Sequence, residues 1–177
     1  TVTFGSAGTT DSWTVPAGVT SITIYLKGAA GGQGGDDGRG YASTGNAGYV
    51  YGTISVTPGT TINVAIGTGG GNGPGCYANM IGGSGGTNPW GYNGGAGGYS
   101  GQIGCSGSGG GGGAATVLRI SGYNDVVAAG AGGGAGGNNC YGYLANTDAY
   151  SPNATAIYGS IGSAQYYGCL LYTSPSP

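Results

Sequence analysis

Polar and apolar residues alternate with a period of two in several short runs of this chain. In residues 21–26, SITIYL, the side chains of Ile22, Ile24 and Leu26 fall on one side and those of Thr23 and Tyr25 on the other. Such alternation marks a strand with one face against a core. Residues 49–56, YVYGTISV, bring Val50, Ile54 and Val56 together, and residues 61–66 do the same with Ile62, Val64 and Ile66. Thr57-Pro58-Gly59-Thr60 between them reads as a turn, so these two runs are expected to pair as a hairpin. Residues 115–120 and 125–129 form a second expected hairpin, turning through 121–124. TVTF at 1–4 and SWTV at 12–15 add shorter strands, the latter ending in the turn Pro16-Ala17-Gly18. No run has helical spacing, and the helix formers Glu and Lys are nearly absent, so the fold class is all-β.

Between these runs the chain is mostly glycine: GAAGGQGGDDGRG at 28–40, GTGGGNGPG at 67–75, then GGSGG, GGAGG, GSGGGGG, and GAGGGAGG from Gly130. By composition alone such tracts suit disordered linkers. Yet each one enters or leaves a strand, and their lengths are short and similar. An extended polyglycine helix has no internal hydrogen bonds, so its backbone groups need lateral partners. Without Cβ atoms, neighbouring tracts can approach closely enough to supply them. Ordering the backbone costs about 1–2 kcal/mol per residue, which one isolated tract cannot offset and a bundle can.

Charge narrows the possible partners. Lys27, Arg39 and Arg119 stand against five Asp, for a net charge of −2. Three scattered cations cannot neutralise a phosphate backbone or an anionic membrane surface, so nucleic acid is excluded as a partner. No apolar run reaches 18 residues, so no membrane insertion is expected. With no His and no Glu, no serine has an evident base, and an enzyme is not expected. The glycine tracts lack the following Lys-Ser or Lys-Thr of a phosphate loop. Asp36 and Asp37 could hold Ca²⁺ with backbone carbonyls, but a solvated loop tip beside Arg39 is the preferred reading. No catalytic residue, metal or cofactor is therefore assigned.

The four cysteines, Cys76, Cys105, Cys140 and Cys169, form no CxxC pair and have no His to complete a zinc site. Two disulfides in a secreted protein are expected, with all three pairings open. The start at Thr1, without Met or a charged-then-apolar leader, fits a signal peptide already removed. The last nine residues, CLLYTSPSP, resemble the translation of a sequencing adapter carried in from an environmental assembly. The domain is accordingly read as residues 1–168, with 169–177 a non-native tail that would make Cys169 spurious. Among the aromatic residues outside the clearest strands, Tyr77, Trp90, Tyr92, Tyr141 and Tyr143 are candidates for subunit or glycan contact. Asn153, in Asn153-Ala154-Thr155, is a candidate glycosylation site.

Three blocks carry a family resemblance: WTVPAGVTSITIYLKGAAGG (13–32), YVYGTISVTPGTTINVAIGTGGG (49–71), and GGGGGAATVLRISG followed by VVAAGAGGGAGG (109–137). In this order they resemble the glycine-rich domains built on a β-sandwich, as in phage tail-fibre adhesins and the glycine-rich part of the anaplastic lymphoma kinase ectodomain. The resemblance implies an antiparallel, jelly-roll-like β-sandwich with an inserted bundle of polyglycine-II helices, and no common enzymatic activity. The Tyr-rich stretch after Asn138 has no counterpart in that pattern. The expected function is a non-enzymatic extracellular structural protein, a self-assembling subunit of a filament, sheath or matrix whose partners are copies of itself. The alternative is an adhesin that recognises surface carbohydrate through its Tyr and Trp loops.

Overall fold

A computed structural model describes residues 1–36, 43–75, 81–98 and 107–134. The expectations placed on Asp37, Arg39, the four cysteines, Tyr77, Tyr141, Tyr143, Asn153 and the 169–177 tail lie outside them. The described residues contain no helix and six strands: β1 (Thr10–Thr14), β2 (Ser21–Lys27), β3 (Tyr49–Ser55), β4 (Thr61–Ala65), β5 (Thr116–Ile120) and β6 (Val126–Ala128). They form two antiparallel sheets, one ordered β1-β4-β5-β6 and the other β2-β3. The alternation read from the sequence holds: Ile24, Leu26, Val50 and Val56 from one sheet meet Ile62, Val64, Leu118 and Ile120 from the other in a single core. Val50 retains 2% of its accessible surface, whereas Tyr25 on the opposite face of the same sheet retains 64%.

Two expectations are corrected. The run at 1–4 is not a strand, although Phe4 packs against the core. The runs at 49–56 and 61–66 are not a hairpin: β3 pairs with β2 and β4 pairs with β1 and β5. The 57–60 turn instead carries the chain across the core from one sheet to the other, and the Pro16-Ala17-Gly18 turn makes the reverse crossing. These turns brace each other, since Gly59 N–H donates to the Val15 carbonyl (2.8 Å) and Val15 N–H to that of Thr60 (2.9 Å). Gly59 has φ +86°, in the left-handed region that glycine enters without strain. Alternation fixes which side chains face inward but is silent on which sheet they face inward from. The second hairpin is present, with Leu118 opposite Val126.

The glycine tracts are ordered by their own backbones. Tract 107–115, which leads into β5, lies at the centre. Its N–H groups donate in rotation to three neighbours: Ser108, Gly111 and Ala114 to tract 66–75, Gly109 and Gly112 to tract 93–98, Gly110 and Gly113 to tract 129–134. Its carbonyls accept from two more: Ser108, Gly111 and Ala114 from tract 28–36, Gly109 and Gly112 from tract 81–87. Every such series advances three residues at a time, with N···O distances of 2.8–3.0 Å. Side chains repair the rotation at its edges, where Gln33 N–H donates to Asn72 Oδ1 (2.9 Å) and Thr87 N–H to Thr68 Oγ1 (2.7 Å). A Cβ on Gly111 would fall on the Ser84 carbonyl oxygen, and one on Gly32 on that of Gly71. Close approach, rather than turn geometry, is what excludes other residues there.

Candidate functional site

The aromatic segment Asn88-Pro89-Trp90-Gly91-Tyr92-Asn93 joins two glycine tracts beside the four-stranded sheet. Its turn is built by Asn88, which is buried. Asn88 Oδ1 accepts from Trp90 N–H (2.7 Å), the Asn88 carbonyl from Gly91 N–H (2.9 Å), and Asn93 Oδ1 from Asn88 N–H (2.7 Å). The Asn88 side-chain amide donates to the carbonyls of Ala65 (3.2 Å) and Ala115 (2.8 Å), fastening the segment to β4 and to the entry of β5. Every polar group of this buried side chain is therefore used, as burial requires.

So held, Trp90 lies over the outward face of β5, with the Arg119 guanidinium carbon 4.5 Å from its ring centroid, a cation–π contact. Arg119 in turn donates from Nε (2.8 Å) and Nη2 (2.6 Å) to the two carboxylate oxygens of Asp125, a bidentate pair across the β5–β6 turn. The Tyr92 hydroxyl donates to the same carboxylate at 3.0 Å. These hydrogen bonds, Arg119 foremost, hold Asp125 below the usual carboxylate range. The carboxylate that accepts its proton raises the Tyr92 phenol above its ordinary value. Alongside lies an open cleft of about 590 Å³ lined by Thr10, Asp11, Ser12, Asn63, Trp90 and Arg119. Ser12, Asn63 and Arg119 are opposite one another in register across β1, β4 and β5. Hydroxyls, an amide, the Asp11 carboxylate and the Arg119 guanidinium, beside an indole wall, suit hydrogen bonding to a polar ligand.

Of the aromatic residues singled out in the sequence, Trp90 and Tyr92 are brought together here and share the Arg119–Asp125 pair. Sequence reasoning placed Asp125 at the start of the second strand of the expected hairpin and missed this role. The available signal was the placement of the two charges on either side of a tight hairpin turn, where they stand close. Asn88 was missed as well, and only its place before Pro89 hinted at a turn. Among the described residues no group of three or more His, Cys, Asp or Glu is placed to hold a metal ion.

A second surface lies on the two-stranded sheet. Tyr25 and Tyr51 are cross-strand partners on its outer face, 64% and 61% exposed, and Tyr49 packs against Tyr25 with ring centroids 6.0 Å apart. Thr23 and Thr53 continue the face and share a hydrogen bond between their hydroxyls (3.0 Å). Among the described residues neither β2 nor β3 has a second partner strand.

Core, cleft and bundle together define an all-β domain in which two sheets anchor a set of laterally bonded glycine tracts. The chain matches the glycine-rich domain family over residues 4–171, and it belongs to that family. No curated protein and no solved structure matches it.

Proposed function

We propose that this protein is a non-enzymatic extracellular structural subunit that associates with copies of itself, its glycine tracts forming a bundle of polyglycine-II helices. The observation that carries the reading is the outer face of the β2–β3 sheet. Exposed tyrosines on a sheet whose two edges are unpaired among the described residues invite a second copy, because Tyr offers large apolar area together with a hydrogen-bonding tip. The period of three in the lateral hydrogen bonds supports the helical reading of the tracts. Trp90 and Tyr92 support the structural reading over the adhesin reading: one ring is covered by Arg119 and the other's hydroxyl is committed to Asp125.

Analytical ultracentrifugation and negative-stain microscopy of the full chain test this. Assembly rising with concentration is expected, reduced at least tenfold in the double variant Tyr25→Ser, Tyr51→Ser. A wild-type protein that stays monomeric at the highest attainable concentration overturns the reading.

A further inference from the structure

Among the described residues, the ring of tracts around 107–115 is open on one side. Lateral bonds join 129–134 to 28–36, 28–36 to 66–75, 66–75 to 81–87, and 81–87 to 93–98. Among the described residues none joins 93–98 to 129–134. Five of the six places around a threefold extended strand are thus filled, and the sixth lies between these two tracts. The central tract points at it. A Cβ on Gly112 would lie 3.4 Å from the Ala131 carbonyl oxygen and 3.6 Å from Gly95 N, one contact on each wall of the gap. A Cβ on Gly109 would lie 3.0 Å from Gly98 N and 3.7 Å from the Gly134 carbonyl oxygen. Gly109 and Gly112 are half-buried, whereas Gly110, Gly111 and Gly113 are buried.

The hydrogen-bond rotation leaves one set of carbonyls over. Those of Ser108, Gly111 and Ala114 face one neighbour and those of Gly109 and Gly112 another. The remaining set, Gly110 and Gly113, points to the remaining side and accepts from no described residue. A buried backbone carbonyl without a donor is costly, by about 1–3 kcal/mol. The gap wall contributes the amides of Gly95 and Gly98, which likewise donate to no described residue.

We propose that this gap is a docking site for a second copy of the chain, whose own 93–98 tract lies along it as the sixth strand. The inference rests on the self-assembly reading above and adds to the β2–β3 face a second surface through which copies join. An occupant must present backbone N–H groups every third residue and carry no Cβ where it presses on a carbonyl. Tract 93–98 has glycines at 94, 95, 97 and 98, and most of its residues are exposed. A Cβ on Gly95 or Gly98 meets nothing within 4 Å, so another backbone has room to reach it. Neither tract walling the gap carries a charged residue, which matches an uncharged glycine strand.

Two substitutions separate docking from folding. Gly112→Val places methyl groups in the gap through contacts that are ordinary within the chain, and Gly95→Val thickens the inserted tract at a position open within the chain. Both are expected to keep the circular dichroism and melting temperature of the wild type and to reduce the assembled fraction at least tenfold in sedimentation. Gly5→Val, also in open space, is expected to assemble normally. Wild-type assembly that both variants retain overturns the docking site and leaves the self-assembly reading standing, while a wild type that never assembles overturns both. Loss in Gly112→Val but not in Gly95→Val overturns 93–98 as the occupant. Should Gly112→Val unfold, Gly95→Val alone decides. Protection of the Gly95 and Gly98 amides from hydrogen exchange is expected to rise with concentration; protection that does not depend on concentration assigns the gap to a segment of the same chain and overturns the proposal.

Discussion

At the scale of residues, the charges of Arg119 and Asp125 do local structural work. Arg119 neutralises Asp125 and covers the Trp90 ring, so one guanidinium ties a loop to a strand. Because the Asp125 carboxyl is held below its usual range, its contribution is complete above the unfolded carboxylate value of about 3.9 and is lost as pH falls through the lower folded value. Trp90 fluorescence is expected to stay constant from neutral pH down to the ordinary carboxylate range and to change below it. Asp125→Asn should show the changed signal already at pH 7. Identical pH profiles for the two proteins would contradict the coupling. Exposure and salt screening keep the effect on global stability small. Trp90 and Tyr92 were legible in the sequence as aromatic residues in a polar segment; their partners were not, because the pairing depends on a strand register that the alternation leaves free.

At the scale of elements, the same alternation located β2, β3, β4 and β5 and their inward faces, since burial of every second residue leaves a direct mark on the sequence. The assignment of strands to sheets left no such mark: the 57–60 turn has the residues of a hairpin and serves as a crossing between sheets. The glycine tracts were legible as laterally packed elements because backbone groups without internal partners must find them elsewhere. Which tract lies at the centre was not legible, since all share one composition. The geometry makes that position testable. Gly111→Val drives a side chain into the Ser84 carbonyl, backbone against backbone with no flexible end to yield. It should destabilise by about 3 kcal/mol or more, lowering the melting temperature by roughly 6 °C or more. Gly112→Val, one residue away, should leave it within about 2 °C of the wild type. Equal melting temperatures for the two variants would contradict the central placement of tract 107–115.

At the scale of the molecule, two kinds of order are joined end to end. The sheets bury an apolar core, and the strands they hold fix one end of tracts 28–36, 66–75, 107–115 and 129–134, which lowers the entropy lost when the tracts line up. Apart from alanines, Ile66, Pro74 and Ile81, the described tracts carry no apolar side chains, so the bundle's stability rests mainly on backbone hydrogen bonds whose alternatives are bonds to water. On the self-association proposed above, an edge tract whose donors and acceptors no described residue uses takes up the next copy on the side of 107–115 between 93–98 and 129–134. The most direct test is hydrogen exchange of the amides of residues 107–115 in the intact protein. Protection comparable with that of β5 is expected for Gly110, Gly111 and Gly113, whose N–H groups are all engaged. Exchange of these glycines at the rate of an unstructured peptide would contradict the account.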